Sequence, residues 1–160
     1  MTKNLEKGED IIQLQIWDTA GTERYNSMGQ SFYRNSEACV LVFDLTNKDS
    51  FKNVEVWRND FLSSLNPPDA DKYPFVLVGN KSDMKDSIQV NNDEIEAYCK
   101  EHNNMPYFST SAKEDINLDE TFAKVADLAY ERNVKNEDNF VPENKFIKME
   151  REPPKKRRCC

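Results

Sequence analysis

Glycine is scarce: the 160 residues hold only four, Gly8, Gly21, Gly29 and Gly79, set far apart. Neither G-x-x-x-x-G-K-[ST] nor G-x-G-x-x-G can be written with that spacing, so these residues contain no complete phosphate-cradling loop of either kind. Long apolar runs are missing too. The longest wholly apolar stretch, Ala38 to Phe43, is far short of the roughly 20 residues that a membrane-spanning helix needs. Met1 to Asp10 has no apolar segment of the secretory-signal kind. Cysteine offers no disulfide framework. Cys39 lies in an apolar strand pattern and Cys99 in a helical one, which predicts buried thiols, and Cys159 and Cys160 are adjacent. That usage points to a reducing cytosol.

A broad basic surface is also absent. Lys155, Lys156, Arg157 and Arg158 are consecutive, yet the whole chain carries a net charge of −7, so the remainder is an acidic body. A general nucleic-acid binder spreads a basic face over its domain, and this chain does not. The short basic run suits an anionic membrane surface or a nuclear localisation signal, and composition does not choose between them.

What is present is an alternation of strands and helices. Ile12, Leu14 and Ile16 alternate with Gln13 and Gln15, the period-2 pattern of a strand with one wetter face. Ala38–Phe43 and Phe75–Val78 are short continuous apolar runs, suited to central parallel strands covered on both faces. Pro106-Tyr-Phe108 is a weaker fourth strand. Phe51, Val54, Trp57 or Arg58, Phe61, Leu62 and Leu65 follow helical spacing, with Asp49 or Ser50 placed to cap. Asn92 precedes a helix carrying Ile95, Tyr98 and Cys99. Asn117 precedes another with Leu118, Phe122, Val125, Ala126 and Ala129 facing in. The order predicts an α/β, doubly wound sheet. Residues 1–132 make its domain, and 133–160, where periodicity fades, read as a polar, flexible tail.

Ligands of such sheets bind at the carboxyl ends of the strands. Three segments fall there: Trp17-Asp-Thr-Ala-Gly-Thr-Glu-Arg-Tyr25, Gly79-Asn-Lys-Ser-Asp83 and Ser109-Thr-Ser-Ala-Lys113. Singly each is ordinary loop chemistry. Jointly, in this order, they resemble the third, fourth and fifth nucleotide motifs of the Ras-like small GTPases. Trp17 before Asp18, and the Glu-Arg-Tyr that follows, look like the Rab family. Trp57-Arg-Asn-Asp-Phe-Leu62 and Asn103-Asn-Met-Pro-Tyr-Phe108 look most like its late-endosomal and lysosomal branch.

The resemblance implies the three-layer Ras-like fold of P-loop NTPases, hydrolysis of GTP to GDP and phosphate, and Mg²⁺ with GTP or GDP as cofactor. The nucleotide would be held by Asp18, Thr19, Ala20, Gly21, Thr22, Asn80, Lys81, Asp83, Ser111, Ala112 and Lys113. Asp83 would accept the two adjacent donors of guanine, N1–H and N2–H₂, a pair adenine lacks; polar pairing of that kind discriminates by about 10⁴-fold or more. Asn80 would brace its loop and reach the O6/N7 edge, the stem of Lys81 would lie across the base, and the Ala112 N–H would approach O6. Asp18 would act on Mg²⁺ through water, and Gly21 would let a backbone N–H approach the γ-phosphate. Residues 21–33 would form a switch exposing Tyr25 and Phe32 to effectors.

Two features depart from the family pattern. Thr22 stands where the family has a water-orienting Gln, which predicts slow intrinsic hydrolysis and reliance on an activating protein. The phosphate loop, with its strand, helix and first switch, is not found in the chain, which enters the family pattern near Met1-Thr-Lys-Asn as an N-terminally truncated domain. The missing strand would lie between those carrying Asp18 and Phe43, so two strand edges should be left unpaired and their apolar faces partly uncovered. A second reading follows, of a fragment that binds GTP weakly or not at all and serves only in interactions.

The ending Lys155-Lys-Arg-Arg-Cys-Cys160 is not a C-a-a-X box, and a metal or redox pair beside a nuclear signal is its bland reading. The Rab resemblance implies geranylgeranylation of Cys159 and Cys160. Two lipid signals anchor stably where one does not, and the cations add roughly 1 kcal/mol each near an anionic surface. A coil the length of the 133–158 linker spans about 28 Å. The expected partners are an exchange factor, an activating protein, an escort protein and effectors, with no nucleic acid and a monomeric state. The expected place is the cytoplasmic face of late endosomes, lysosomes or phagosomes, with a cytosolic extracted form.

Overall fold

The computed structural model describes residues 1–7, 10–19, 33 and 36–138. Ala20, Gly21 and Thr22, the rest of the expected switch except Tyr33, and Cys159 and Cys160 lie outside the described residues.

The described chain forms two separate sheets. The first is an antiparallel hairpin of β1 (Thr2–Lys7) and β2 (Asp10–Gln15), paired in register from Thr2 opposite Gln15 to Lys7 opposite Asp10. The second holds three parallel strands in the order β3 (Cys39–Asp44), β4 (Phe75–Asn80) and β5 (Tyr107–Ser109). Parallel strands need long crossovers, and helices α1 (Lys48–Leu65) and α2 (Asn92–Glu101) supply them. Helix α3 (Leu118–Asp138) follows β5.

β4 is buried on both faces, as its continuous apolar run predicts. Phe75 and Leu77 join Leu41, Phe43 and Leu45 in a core closed by Val54 and Phe61 of α1 and Ile95 and Cys99 of α2. Val76 and Val78 face the other way, onto Val125 and Leu128 of α3. β3 departs from its expected central position, being an edge of the three-stranded sheet. Val40 packs with the α3-side cluster while Val42, one pleat along, is 60% exposed. β2 and β3 do not pair with each other, so among the described residues both keep an open edge. The hairpin is held from below by α3, where Lys3 bonds Asp119 and lies 5.9 Å over the Phe122 ring.

Helix ends differ from the sequence reading by a few residues. Asn47, rather than Asp49 or Ser50, caps α1, its side chain accepting from the amides of both. Asn91 caps α2 through the Asp93 amide. α3 runs six residues beyond Arg132, through Asp138. Its body is clamped by Arg132, which donates to both Asp69 oxygens at 2.8 and 2.9 Å and lies 4.4 Å over the Tyr73 ring. Cys99 is buried, as expected. Cys39 is half-buried, and burial pushes its thiol up to about 12, which keeps it unreactive.

Candidate functional site

The carboxyl ends of β3, β4 and β5 bring Asp44, Asn80 and Ser109 to one edge of the sheet, Asp44 lying opposite Asn80. Two loops continue from there. The 80–84 loop turns at Lys81, whose φ of 68° is left-handed, and closes with the Met84 amide on the Lys81 carbonyl at 3.1 Å. The 109–117 loop closes on itself through reciprocal Ser111 and Ile116 backbone bonds of 3.2 and 3.0 Å. Asn117 secures its base by donating its side-chain amide to the Ser109 carbonyl at 2.7 Å.

The loops are joined at several points. The Thr110 amide donates to the Gly79 carbonyl at 2.8 Å, and the Ser82 amide to the Thr110 carbonyl at 2.9 Å. The Ala112 amide donates to Asn80 Oδ1 at 3.1 Å, and the Ser111 hydroxyl to Asp83 Oδ1 at 2.6 Å. Ser111 is fully buried, and the Asp83 side chain is only 9% exposed. Lys113 Nζ stands 4.0 Å from Asp83 Oδ2, its own side chain largely in solvent. The Ser111 hydroxyl is the main influence holding the Asp83 carboxyl below the usual carboxylate range; desolvation opposes it and the charges of Lys113 and Lys81 help. Asp83 is therefore an ionised acceptor whose position is set before any ligand arrives.

The structure thus places Asn80, Lys81, Asp83, Ser111, Ala112 and Lys113 on two adjoining loops. Asp18 and Thr19 are exposed and follow β2, on the other sheet. Among the described residues no three His, Cys, Asp or Glu side chains gather to hold a metal. Mg²⁺ commonly takes one or two carboxylates and completes its shell with water and substrate phosphates, so Asp18 fits as a contributor to a nucleotide-borne ion.

Sequence reasoning missed Asp44. Its Oδ2 lies 2.6 Å from Lys81 Nζ, and its Oδ1 accepts from the Thr46 amide at 2.8 Å and the Thr46 hydroxyl at 2.7 Å. Burial pushes the Asp44 carboxyl up, but the bonds from Lys81 and Thr46 outweigh it and leave it below the usual range. The available signal was an Asp ending an apolar strand, which only pairing with Asn80 gives meaning. Two cavities lie away from this edge. One of about 150 Å³ is bounded by Arg58, Tyr73 and His102, and one of about 260 Å³ by Ile95, Cys99 and Tyr107.

A three-stranded parallel sheet with rigid, polar loops at its carboxyl ends is the frame of a nucleotide-binding α/β domain. Residues 1–131 match the Ras family, and the chain belongs to it. The GTP-binding protein YPTC5 of Chlamydomonas reinhardtii is 41% identical over 162 residues, spanning 100% of this chain and 78% of that protein. Rab-7a of Dictyostelium discoideum is 40% identical with the same coverage. The Ypt/Rab-type GTPase ypt7 of Schizosaccharomyces pombe is 42% identical over 132 residues, 82% of this chain and 64% of that protein. Within the family the likeness is to Rab-type GTPases of the Rab-7a and ypt7 kind.

Proposed function

We propose that this chain works as a Rab-type GTP/GDP switch in vesicle transport toward late endosomes or lysosomes. The observation that supports this best is the joined pair of loops in which Ser111 fixes Asp83 and Asn80 fixes the Ala112 amide. Asp83 offers a double acceptor for guanine N1–H and N2–H₂, Asn80 and the Ala112 amide serve the O6 edge, and the Lys81 stem covers one face. Asp18 contributes to Mg²⁺, which neutralises phosphate charge when bound with the nucleotide. Rab membership supports GTPase activity and nucleotide and regulator partners in general, and the likeness to Rab-7a and ypt7 supports association with a late-endosomal or vacuolar membrane. At the finer level, an exchange factor, an activating protein, an escort protein and effectors act on the cytoplasmic face of that membrane. Cys159 and Cys160 carry the lipids, residues 133–160 serve as the tether, and the basic run adds attraction to anionic lipid.

Because no G-x-x-x-x-G-K-[ST] lies in these 160 residues, the β-phosphate lacks that loop's nest of N–H groups and its Lys. Affinity of this polypeptide for GTP is then carried mainly by the base. A titration with fluorescent GDP and Mg²⁺, competed with unlabelled GDP and ADP, tests the reading. Weak binding displaced by GDP and not by ADP supports it. Equal displacement by the two overturns it, and sub-micromolar binding overturns the base-only account of affinity.

A further inference from the structure

Asp44 is fixed from several sides without any ligand. Its carboxylate holds the Lys81 ammonium at 2.6 Å and the two Thr46 donors at 2.7 and 2.8 Å. Its backbone is tied to Ser50, whose Oγ accepts from the Asp44 amide at 3.0 Å and whose hydroxyl lies 3.2 Å from the Asp44 carbonyl. The Lys81 side chain, 51% exposed, therefore runs from the 80–84 loop toward the end of the neighbouring strand.

This arrangement matters for Asp83. Both Lys81 and Lys113 act on the Asp83 carboxylate electrostatically, and both are long enough to pair with a group so near in sequence or space. An ammonium in direct contact with that carboxylate competes for the lone pairs that a base would use, through a charge-assisted bond stronger than a neutral one. The Lys81 charge has a better partner at the end of the neighbouring strand. Lys113, at 4.0 Å and mostly in solvent, is beyond hydrogen-bond distance.

We propose that Asp44 is a specificity-determining positioning residue: by holding the Lys81 ammonium off Asp83, it keeps both Asp83 oxygens available to the two-donor edge of guanine. It also stretches the Lys81 stem into a lid for the base. The inference rests on the reading of Asp83 as the base acceptor, and its test separates the two.

The 5′-monophosphates of guanosine and inosine differ only in the N2 amine, which inosine lacks. Both are titrated into the full 160-residue chain while the Ala112 amide is followed by NMR. The unaltered chain should favour the guanosine nucleotide by about tenfold, the usual worth of one hydrogen bond to a charged acceptor. Asp44→Asn keeps an oxygen for Thr46 but releases Lys81, and the preference should fall to about twofold or threefold. Adding Lys81→Met, which keeps the stem and removes the charge, should bring it back. A purely structural role weakens both nucleotides alike and leaves the ratio untouched; an unchanged ratio in Asp44→Asn overturns the proposal. Should Asp44→Asn lose its amide dispersion, Lys81→Met alone decides: a preserved ratio with weaker binding of both nucleotides supports the proposal, and a collapsed ratio refutes it. If the unaltered chain binds adenosine and guanosine monophosphates equally, the Asp83 reading itself falls and the role of Asp44 with it.

Discussion

Gly79→Ala adds one methyl group at a crowded point beneath the proposed base site. A Cβ there meets Tyr107 Oη at 2.8 Å and both Leu45 Cδ2 and Phe43 Cζ at 3.0 Å. Of these neighbours, Phe43 and Leu45 have little room to yield. Phe43 and Leu45 are almost fully buried, and the Phe43 ring is wedged between Phe51 at 4.9 Å and Tyr107 at 6.4 Å. Inserting a methylene-sized group into such packing costs about 1–3 kcal/mol, and three simultaneous close contacts place this case at about 2–3 kcal/mol. A domain of this size loses about 2–4 °C of Tm per kcal/mol, so Tm should drop by about 4–12 °C. The strain passes straight to the site, because the Gly79 carbonyl accepts the Thr110 amide and Asn80 follows in the chain. Urea unfolding at 25 °C measures the loss, and amide exchange at Thr110 and Ala112 should quicken beyond the global change. Tyr107→Phe removes the nearest clashing atom, so in that background Gly79→Ala should cost at least about 0.5 kcal/mol less. A Gly79→Ala change smaller than about 0.5 kcal/mol, additive with Tyr107→Phe, would refute the packing argument.

Arg132→Ala should destabilise by about 2 kcal/mol, since it leaves Asp69 without its two-pronged partner and uncovers the Tyr73 ring; Arg132→Lys should recover less than half, because an ammonium lacks the planar fork. Urea midpoints check both. Asp44 and Asp83 have carboxyls depressed in the folded state, so their stabilisation is full above the unfolded value near about 3.9 and is lost as pH falls through the lower native values. Unfolding free energy should therefore hold between about pH 7 and 5 and decline below about pH 4, less steeply in Asp44→Asn; an equally steep decline there contradicts the assignment. In single-turnover assays at saturating GTP, Thr22→Gln should hydrolyse faster than the unaltered chain, and equal rates remove any role for Thr22 in the slow reaction. Deleting Cys159 and Cys160 should shift the protein from the membrane fraction to the cytosol, whereas unchanged membrane recovery speaks against lipid attachment.

Much of this was legible because apolar period and loop chemistry are local. The runs ending at Phe43 and Val78 announce parallel strands, and the Asn80–Asp83 and Ser109–Lys113 segments announce the loops that the structure joins. β1 was harder to read, since Thr2–Lys7 holds a single apolar residue, Leu5, and gains its strand character from pairing with β2. The cap of α1 was misplaced because the apolar pattern begins at Phe51, whereas the first turn, Lys48 to Ser50, is polar and is fixed by Asn47. α3 outruns its apolar stripe for a similar reason: clamping at Arg132 supports a polar last turn. Asp44 could not be found from sequence, because its partner Lys81 is brought near only when β3 and β4 align in parallel. The exposure of Val42, 60% in the structure, accords with the expectation of partly uncovered apolar faces on β3.

The most direct measurement follows the Ala112 amide by NMR as guanosine and adenosine 5′-monophosphates are added to the chain and to Asp83→Ala. The account requires a saturable shift with the guanosine nucleotide, little or none with the adenosine nucleotide, and loss of that difference in Asp83→Ala. Equal responses to the two purines, or a guanosine preference that survives Asp83→Ala, would contradict it.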